Sequence, residues 1–148
     1  MLYFDTSALL PYYRQEASSA SVQELLSALT EPILISHLTQ VEVASALARW
    51  VRMGELDEAQ ANRIEGAMQE DLQAGRLRSQ PILPEHFTRA SHWLLTRRTA
   101  LRSLDALHLA CAEGLAAHLI TEDTALLDAA RHFGLHASTA AIALARLP

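Results

Sequence analysis

The apolar triplet Ile33-Leu34-Ile35 constrains the fold of this chain more than any other segment. Pro32 and Ser36 bound it, and all three of its side chains are apolar. A strand of this kind needs cover on both faces, which is typical of a parallel sheet that lies between layers of helices. The triplet therefore predicts an α/β fold.

Further short strands and amphipathic helices alternate along the rest of the chain. Residues 2–4 and 118–121 are predicted to be buried strands, residues 77–80 a short strand or an extended link, and residues 135–137 an edge strand. Apolar residues at helical spacing predict helices that begin after Asp5 and then cover residues 18–29, 39–54, 56–72, 84–98, 104–115 and 124–132. This order predicts a mostly parallel central sheet of four to five short strands flanked by helices, with right-handed crossovers.

Several single residues predict details of these helices. Pro11 lies about one turn into the first helix, where it removes a hydrogen bond and clashes with the preceding carbonyl, so we expect a kink or break there. Ser103 is expected to cap the helix over residues 104–115. Phe87 and Trp93 are expected on the apolar face of the helix over residues 84–98.

The length and the residue usage limit the class of protein. With 148 residues and no internal repeat, linker or low-complexity segment, residues 1–148 are interpreted as a single domain. Cys111 is the single cysteine, which excludes an internal disulfide and a zinc site built on several thiolates. All twelve basic residues are arginine, so neither a P-loop lysine nor a Schiff-base lysine is available.

Two further patterns bear on location. The first residues lack the basic and apolar regions of a secretory signal. The most apolar stretch, residues 104–120, carries two acidic side chains and two histidines, so it is too polar to span a membrane. We therefore expect a cytoplasmic protein without a membrane partner.

Four acidic residues fall where an open parallel sheet places its functional crevice, beyond the carboxyl ends of the strands. Asp5 and Asp123 follow predicted strands. Glu42 is predicted in the first turn of the helix that follows the apolar triplet, and Asp105 in the first turn of a later helix. One cleft could therefore collect all four carboxylates.

Each of these acids also has a purely structural interpretation. Asp5 and Asp123 are suitable N-caps for the helices that follow them. Thr39 and Glu42 match the capping box, in which Glu42 would reach back to the Thr39 amide. Asp105 is harder to explain in this way, because its apolar neighbours predict burial and a lone buried carboxylate is costly.

A group of four carboxylates would need a cation. Two unit charges about 5 Å apart repel by roughly 3 kcal/mol at an effective dielectric constant near 20. Ligands that are all oxygen suit Mg²⁺ or Mn²⁺. Such an ion would also attract a phosphate substrate to a chain whose net charge is −5.

Four motifs in this order resemble the PIN-domain family, and in particular the VapC-type toxins of bacterial toxin–antitoxin pairs. The motifs are LYFDTSAL at residues 2–9, VEVASAL at 41–47, LDALHLA at 104–110 and LITED at 119–123. The resemblance spans essentially the whole chain. It implies a PIN-like fold and a Mg²⁺- or Mn²⁺-dependent endoribonuclease that hydrolyses RNA phosphodiester bonds.

The resemblance also implies roles for individual residues. Asp5, Glu42, Asp105 and Asp123 would be the acidic residues at the metal. Thr6 or Ser7 would orient Asp5 or the substrate, Thr121 would do the same beside Asp123, and Glu122 could assist or replace Asp123. The implied partners are an RNA substrate, a small cognate antitoxin and a second copy of the chain in a homodimer.

Other interpretations stay open at this stage. The chain could be a PIN nuclease that is not a toxin, or a catalytically silent PIN-like module that binds RNA or a partner. A phosphatase with Asp5 as nucleophile is a further rival, but Ser7 stands where its second aspartate would be and the chain has no lysine to support it.

Three groups of residues outside the acidic motifs have candidate roles. Arg97, Arg98 and Arg102 could bind RNA phosphates beside the metal, although a solvated charged loop explains them equally well. His108, one turn from Asp105, is expected to be a core histidine with local hydrogen bonds. The predicted helical hairpin over residues 39–72 is expected to expose more apolar positions than one face needs, including Val51, Met53, Ile64 and Met68, so it could form a groove for an amphipathic antitoxin segment.

Overall fold

A computed structural model describes residues 1–147 as a five-stranded sheet covered by helices on both faces. All four strand pairs are parallel, and the strand order is β3-β2-β1-β4-β5. The strands are β1 Leu2–Phe4, β2 Ile33–Ser36, β3 Leu77–Gln80, β4 His118–Ile120 and β5 Ala137–Ser138. The predicted α/β class and the parallel sheet are confirmed.

Eight helices connect and flank these strands in residues 1–147. They are α1 Thr6–Tyr13, α2 Ser19–Ala28, α3 His37–Arg52, α4 Glu58–Gln73, α5 Pro84–Leu95, α6 Ser103–Gly114, α7 Thr124–His132 and α8 Ala140–Leu144. The sequence interpretation missed α8, because five residues are too short to show a helical period. The Thr139 hydroxyl accepts a hydrogen bond from the Ile142 amide (3.3 Å) and so caps this short helix.

The sheet separates two apolar clusters, which explains why β2 is buried on both faces. Tyr3, Leu34 and Leu119 lie side by side in register and pack into the cluster that contains α5, α6 and α7 residues. Phe4 and Ile35 belong to the other cluster, with residues of α1 to α4 and α8. Alternate side chains along each strand thus enter opposite halves of the core.

The start of α3 differs from the prediction, with a consequence for Glu42. Ser36, not Thr39, is the N-cap, with an extended backbone (φ −115°, ψ 169°), and its amide donates to Thr39 Oγ1 (3.3 Å). The helix therefore begins two residues earlier than predicted. Glu42 lies in the second turn rather than the first, and its carboxylate takes no part in a capping box.

Three further details of the helices differ from the prediction. Of the kink or break expected at Pro11, the break does not occur, because α1 continues to Tyr13 and the Arg14 amide donates to the Leu10 carbonyl (2.9 Å). Arg102, not Ser103, is the N-cap of α6, because the chain is still extended there (φ −105°, ψ 169°). Phe87 is 53% exposed, and His86 takes the buried position beside it.

No helix within residues 1–147 combines the length and the apolar character needed to cross a membrane.

The packing of the core predicts that the same substitution at two leucines has different effects on stability. Leu119 in β4 is completely buried, whereas Leu95 at the end of α5 is 66% exposed. Leu119→Ala should lower the free energy of unfolding by about 2–5 kcal/mol, because it leaves a cavity in the centre of the sheet. Leu95→Ala should change it by less than about 0.5 kcal/mol. Urea unfolding followed by circular dichroism measures both, and equal losses would contradict the packing described here.

Candidate active site

The four predicted acids line one open cleft of about 470 Å³ at the carboxyl edge of the sheet. The sheet order places β1 and β4 side by side, so their ends bring Asp5 and Asp123 to the same edge. Glu42 enters the cleft from α3 and Asp105 from α6. The other residues of the cleft wall are Thr6, Ser7, Leu10, Ser45, Ala46, Arg49, Arg102, Leu104 and His108.

Asp5 is only 3% exposed and is held by hydrogen bonds to both carboxylate oxygens. Oδ1 accepts from the Ala8 amide (2.9 Å), which makes Asp5 the N-cap of α1, and from Ser7 Oγ (2.8 Å). Oδ2 accepts from Thr121 Oγ1 (2.6 Å). The structural and the functional interpretations of Asp5 are therefore compatible, because the N-cap is also the acid at the base of the cleft.

Thr121 connects Asp5 to Asp123. Its hydroxyl donates to Asp5 and accepts from the Asp123 amide (3.1 Å), and its side chain is completely buried. Asp123 in turn caps α7 by accepting from the Leu126 amide (3.0 Å). Ser7 Oγ also accepts from the Glu122 amide (2.9 Å), so two hydroxyls fix the turn that carries Asp123.

Glu42 is held by two donors from different parts of the chain. Thr6 Oγ1 donates to Glu42 Oε1 (2.7 Å), and His108 Nε2 lies 2.5 Å from the same oxygen. Thr6 thus contacts Glu42, while Ser7 and Thr121 contact Asp5. His108 is buried, as the sequence predicted, but the prediction of local hydrogen bonds is wrong, because its partners Tyr3 and Glu42 lie 105 and 66 residues away in the chain. It also forms part of the cleft wall.

Arg102 is the cation nearest to the other two acids. Its Nε lies 3.4 Å from Asp105 Oδ2, and one of its terminal nitrogens lies 3.8 Å from Asp123 Oδ2. The Arg102 side chain is 79% exposed, so these are loose, solvent-screened contacts. Arg102 therefore compensates part of the negative charge of the cleft from its rim.

Burial is the largest single influence on the pKa of each of the three carboxyls whose pKa is shifted. Burial raises the pKa of Asp5, although the charge of His108 and the hydrogen bonds oppose this. Burial and then the charge of Asp123 raise the pKa of Asp105. Burial would also raise the pKa of Glu42, but the hydrogen bond and charge of His108 outweigh it and lower that pKa. Two of the acids would thus gain from an added cation.

The chemistry of the side chains fits a hard divalent ion. All four acids offer carboxylate oxygens, and Mg²⁺ and Mn²⁺ prefer such ligands. Within residues 1–147, no three His, Cys, Asp or Glu side chains are arranged so that they could hold a metal ion together. Arg102 lies against two of the carboxylates, so an ion bound by these acids would share or replace its position.

The structure separates the other candidate residues. Arg97 and Arg98 are exposed and lie outside the cleft wall, so Arg102 is the one residue of that group that reaches the acids. Glu122 points elsewhere, because its Oε1 accepts from the Ala140 amide (3.0 Å) at the start of α8. Arg49 was missed, although its position seven residues after Glu42 places both on one face of α3.

The fold and the cleft define an α/β protein with an acidic site at the carboxyl edge of a parallel sheet. The sequence model of the PIN domain matches residues 2–132, which is most of the chain. This chain belongs to the PIN-domain family. Among curated protein sequences, none matches it significantly.

Solved structures with the same fold include several toxins. VapC20 of Mycobacterium tuberculosis, a toxin that cleaves the sarcin–ricin loop, is 13% identical with a TM-score of 0.67, over 87% of this chain and 95% of that chain. A toxin–antitoxin complex from Klebsiella pneumoniae is 22% identical with a TM-score of 0.60, over 84% and 88%. VapBC2 of Rickettsia felis, bound to a DNA fragment from its promoter, is 16% identical with a TM-score of 0.68, over 94% and 98%. At these identities the likeness is one of fold.

Charge repulsion in the cleft predicts an unusual effect of removing an acid. At neutral pH and without metal, Asp105→Asn should raise the melting temperature, by about 2–4 °C for each kcal/mol of repulsion that is relieved. A carboxyl whose pKa is raised by folding stabilises the fold once it is protonated and loses that contribution as pH rises through its folded pKa. The gain from Asp105→Asn should therefore shrink as pH falls.

Asp128→Asn is the matched control, because Asp128 is 73% exposed on α7 and pairs with Arg131 away from the cleft. It should change the melting temperature little at any pH. A metal-free Asp105→Asn protein that melts no higher than the wild type at neutral pH would show that Arg102 already compensates the cleft.

Proposed function

We propose that this chain is a Mg²⁺- or Mn²⁺-dependent endoribonuclease and the toxin component of a toxin–antitoxin pair. The observation that carries the proposal is the convergence of four carboxylates, from four separate motifs, on one open cleft of a PIN domain. An open cleft suits a polymeric substrate, which must lie across the site rather than enter it.

The four acids would hold the ion, and each has a distinct support. Ser7 and Thr121 orient Asp5, Thr6 and His108 orient Glu42, and the caps of α6 and α7 place Asp105 and Asp123. When bound, a divalent ion supplies a polarised phosphate and a water of lowered pKa. The work of the protein residues is to hold the negative charges in place before the substrate arrives.

Arginines at the cleft would bind the phosphates of RNA. Arg49 and Arg102 both line it, and Arg102 is exposed enough to move from the carboxylates to a phosphate once an ion compensates the acids. Arg97 and Arg98 precede Arg102 in the same loop and are exposed, so they would contact the RNA outside the cleft. These contacts would let a chain of net charge −5 bind a polyanion.

The α3–α4 groove, a cavity of about 480 Å³ between helices α3 and α4, supports an antitoxin partner. Its floor is apolar and its rim carries Arg52, Glu58 and Glu65. The four apolar positions that the sequence predicted to be exposed have different surroundings. Val51 and Met68 line the groove, although Met68 is buried. Met53 is exposed outside the groove, and Ile64 packs into the core. An amphipathic antitoxin helix fits such a groove. We also propose that the protein forms a homodimer with the antitoxin bound to each copy. Its proposed location is the cytoplasm.

A catalytically silent PIN-like module that binds RNA or a partner is the second candidate. It is favoured by one observation, that no three metal-ligating side chains in the described part of the chain are already arranged to hold an ion. Binding of RNA without turnover in either Mg²⁺ or Mn²⁺ would support this candidate.

The nuclease proposal predicts metal-dependent cleavage that depends on the cleft acids. The purified chain, free of antitoxin, should cut a panel of structured RNAs in Mn²⁺, and EDTA should stop the reaction. Asp105→Asn should lower the rate by about 100-fold or more, because one of the carboxylates that would hold the ion acting on the phosphate is lost. Gel analysis of end-labelled RNA measures both effects.

Asp128→Asn keeps the cleft unchanged and should retain the wild-type rate, which makes it the control for this substitution as well. Cleavage that survives EDTA, or that is equal in the Asp105→Asn protein, would reject a reaction at these carboxylates.

Toxicity is tested separately by expression. Induction of the wild-type chain alone should arrest bacterial growth, since an uninhibited ribonuclease degrades the host's RNA, whereas Asp5→Ala at equal soluble yield should permit growth. Normal growth with soluble, metal-replete wild-type protein would favour a PIN nuclease that is not a toxin.

A further inference from the structure

Buried polar side chains that are connected by hydrogen bonds lie beneath the acidic cleft and contact Glu42. His108 Nε2 lies 2.5 Å from Glu42 Oε1, and the Tyr3 hydroxyl lies 2.8 Å from His108 Nδ1. The Tyr3 hydroxyl also lies 2.9 Å from Ser36 Oγ. His108 is 2% exposed, and Tyr3 and Ser36 are completely buried. Polar groups buried this deeply are costly unless they are paired, so the core depends on the hydrogen bonds among these side chains.

The contacts of Glu42 are asymmetric. Thr6 and His108 both bind Oε1, while Oε2 has no hydrogen-bond donor within residues 1–147. An ionised carboxylate can only accept hydrogen bonds, so Nε2 of His108 is the donor in this pair. The two donors hold one oxygen and leave the other available.

The far side of the imidazole is fixed by the core. Tyr3 lies in the central strand β1 and Ser36 is the N-cap of α3, the helix that carries Glu42. His108 lies on α6, one turn after Asp105. These polar side chains therefore connect the helix of Glu42 to the helix of Asp105 through the central strand of the sheet.

We propose that His108 is a positioning residue of the metal centre, which holds Glu42 by Oε1 so that Oε2 alone is presented to a cation, and that Tyr3 fixes the His108 ring for this purpose. The inference rests on the proposed role of the acids as metal ligands. Partners of this kind around metal ligands commonly account for about 10–100-fold in metal affinity.

The test measures Mn²⁺ affinity by isothermal titration calorimetry, with the melting temperature of each metal-free variant recorded in parallel. His108→Leu removes the donor, and we expect it to weaken Mn²⁺ binding by about 10-fold or more. His108→Gln keeps an N–H donor near Oε1 and should recover most of the affinity. Tyr3→Phe keeps His108 but frees its ring, so its affinity should fall between that of the wild type and that of His108→Leu.

Leu109→Ala is the control for stability, because Leu109 neighbours His108 on α6, is 1% exposed and lies in the apolar core. It should lower the melting temperature while leaving Mn²⁺ affinity within about twofold of the wild type, since its side chain packs in the apolar cluster and does not line the cleft.

Each outcome separates the alternatives. Wild-type Mn²⁺ affinity in folded His108→Leu, no recovery in His108→Gln, or an equal loss of affinity in Leu109→Ala would overturn the positioning role. A wild-type chain that binds no Mn²⁺ would overturn it together with the metal-dependent mechanism. A wild-type chain that binds Mn²⁺ but cuts no RNA would reject the nuclease and leave the comparison of affinities decisive for His108.

Discussion

The burial of one carboxylate, Asp5, is the constraint on which the rest of the site depends. An ionised group at the end of the central strand loses its hydration, and burial raises its pKa. The compensating hydrogen bonds come from the first turn of α1 and from Thr121 at the end of β4. Because β1 and β4 pair in parallel with Phe4 opposite Ile120, the same contacts that satisfy Asp5 also place Asp123. The same hydrogen bonds thus hold the edge of the sheet and two of the four acids of the cleft.

The carboxylates of the cleft differ in how firmly their hydrogen bonds and ion pairs hold them. Asp5 and Glu42 are fixed by short hydrogen bonds from buried or half-buried donors. The Leu126 amide holds Asp123 Oδ1, whereas Oδ2 of Asp123 and Oδ2 of Asp105 face the exposed guanidinium of Arg102 at longer range. Asp5 and Glu42 therefore provide fixed negative charge. Another cation could replace Arg102 beside Asp105 and Asp123 at little cost, because exposed ion pairs contribute little to stability.

Glu42 illustrates how a local motif can be explained in two ways. Thr39 and Glu42 match the capping box in sequence, but the N-cap is at Ser36 and Thr39 itself contacts the Ser36 amide. This releases the Glu42 carboxylate to accept from Thr6 and His108, which are 36 and 66 residues away in the chain. The two-residue change in the start of α3 therefore decides whether Glu42 belongs to the helix end or to the cleft.

The sequence by itself determined the parallel α/β fold, the positions of β1, β2 and β4, and the four acids of the cleft, because these follow from local patterns. It left residues 77–80 open between a strand and an extended link, and it placed the edge strand at residues 135–137, whereas β5 covers Ala137–Ser138. A fully apolar strand needs two covered faces, and residues after parallel strands share one edge of the sheet. Only the tertiary structure decided what each acid contacts: Thr121 on Asp5, His108 on Glu42 and Arg102 on Asp105 and Asp123. The Thr121–Asp5 hydrogen bond joins residues 116 positions apart, and such a contact depends on how strands and helices pack, for which neighbouring residues in the sequence carry no signal.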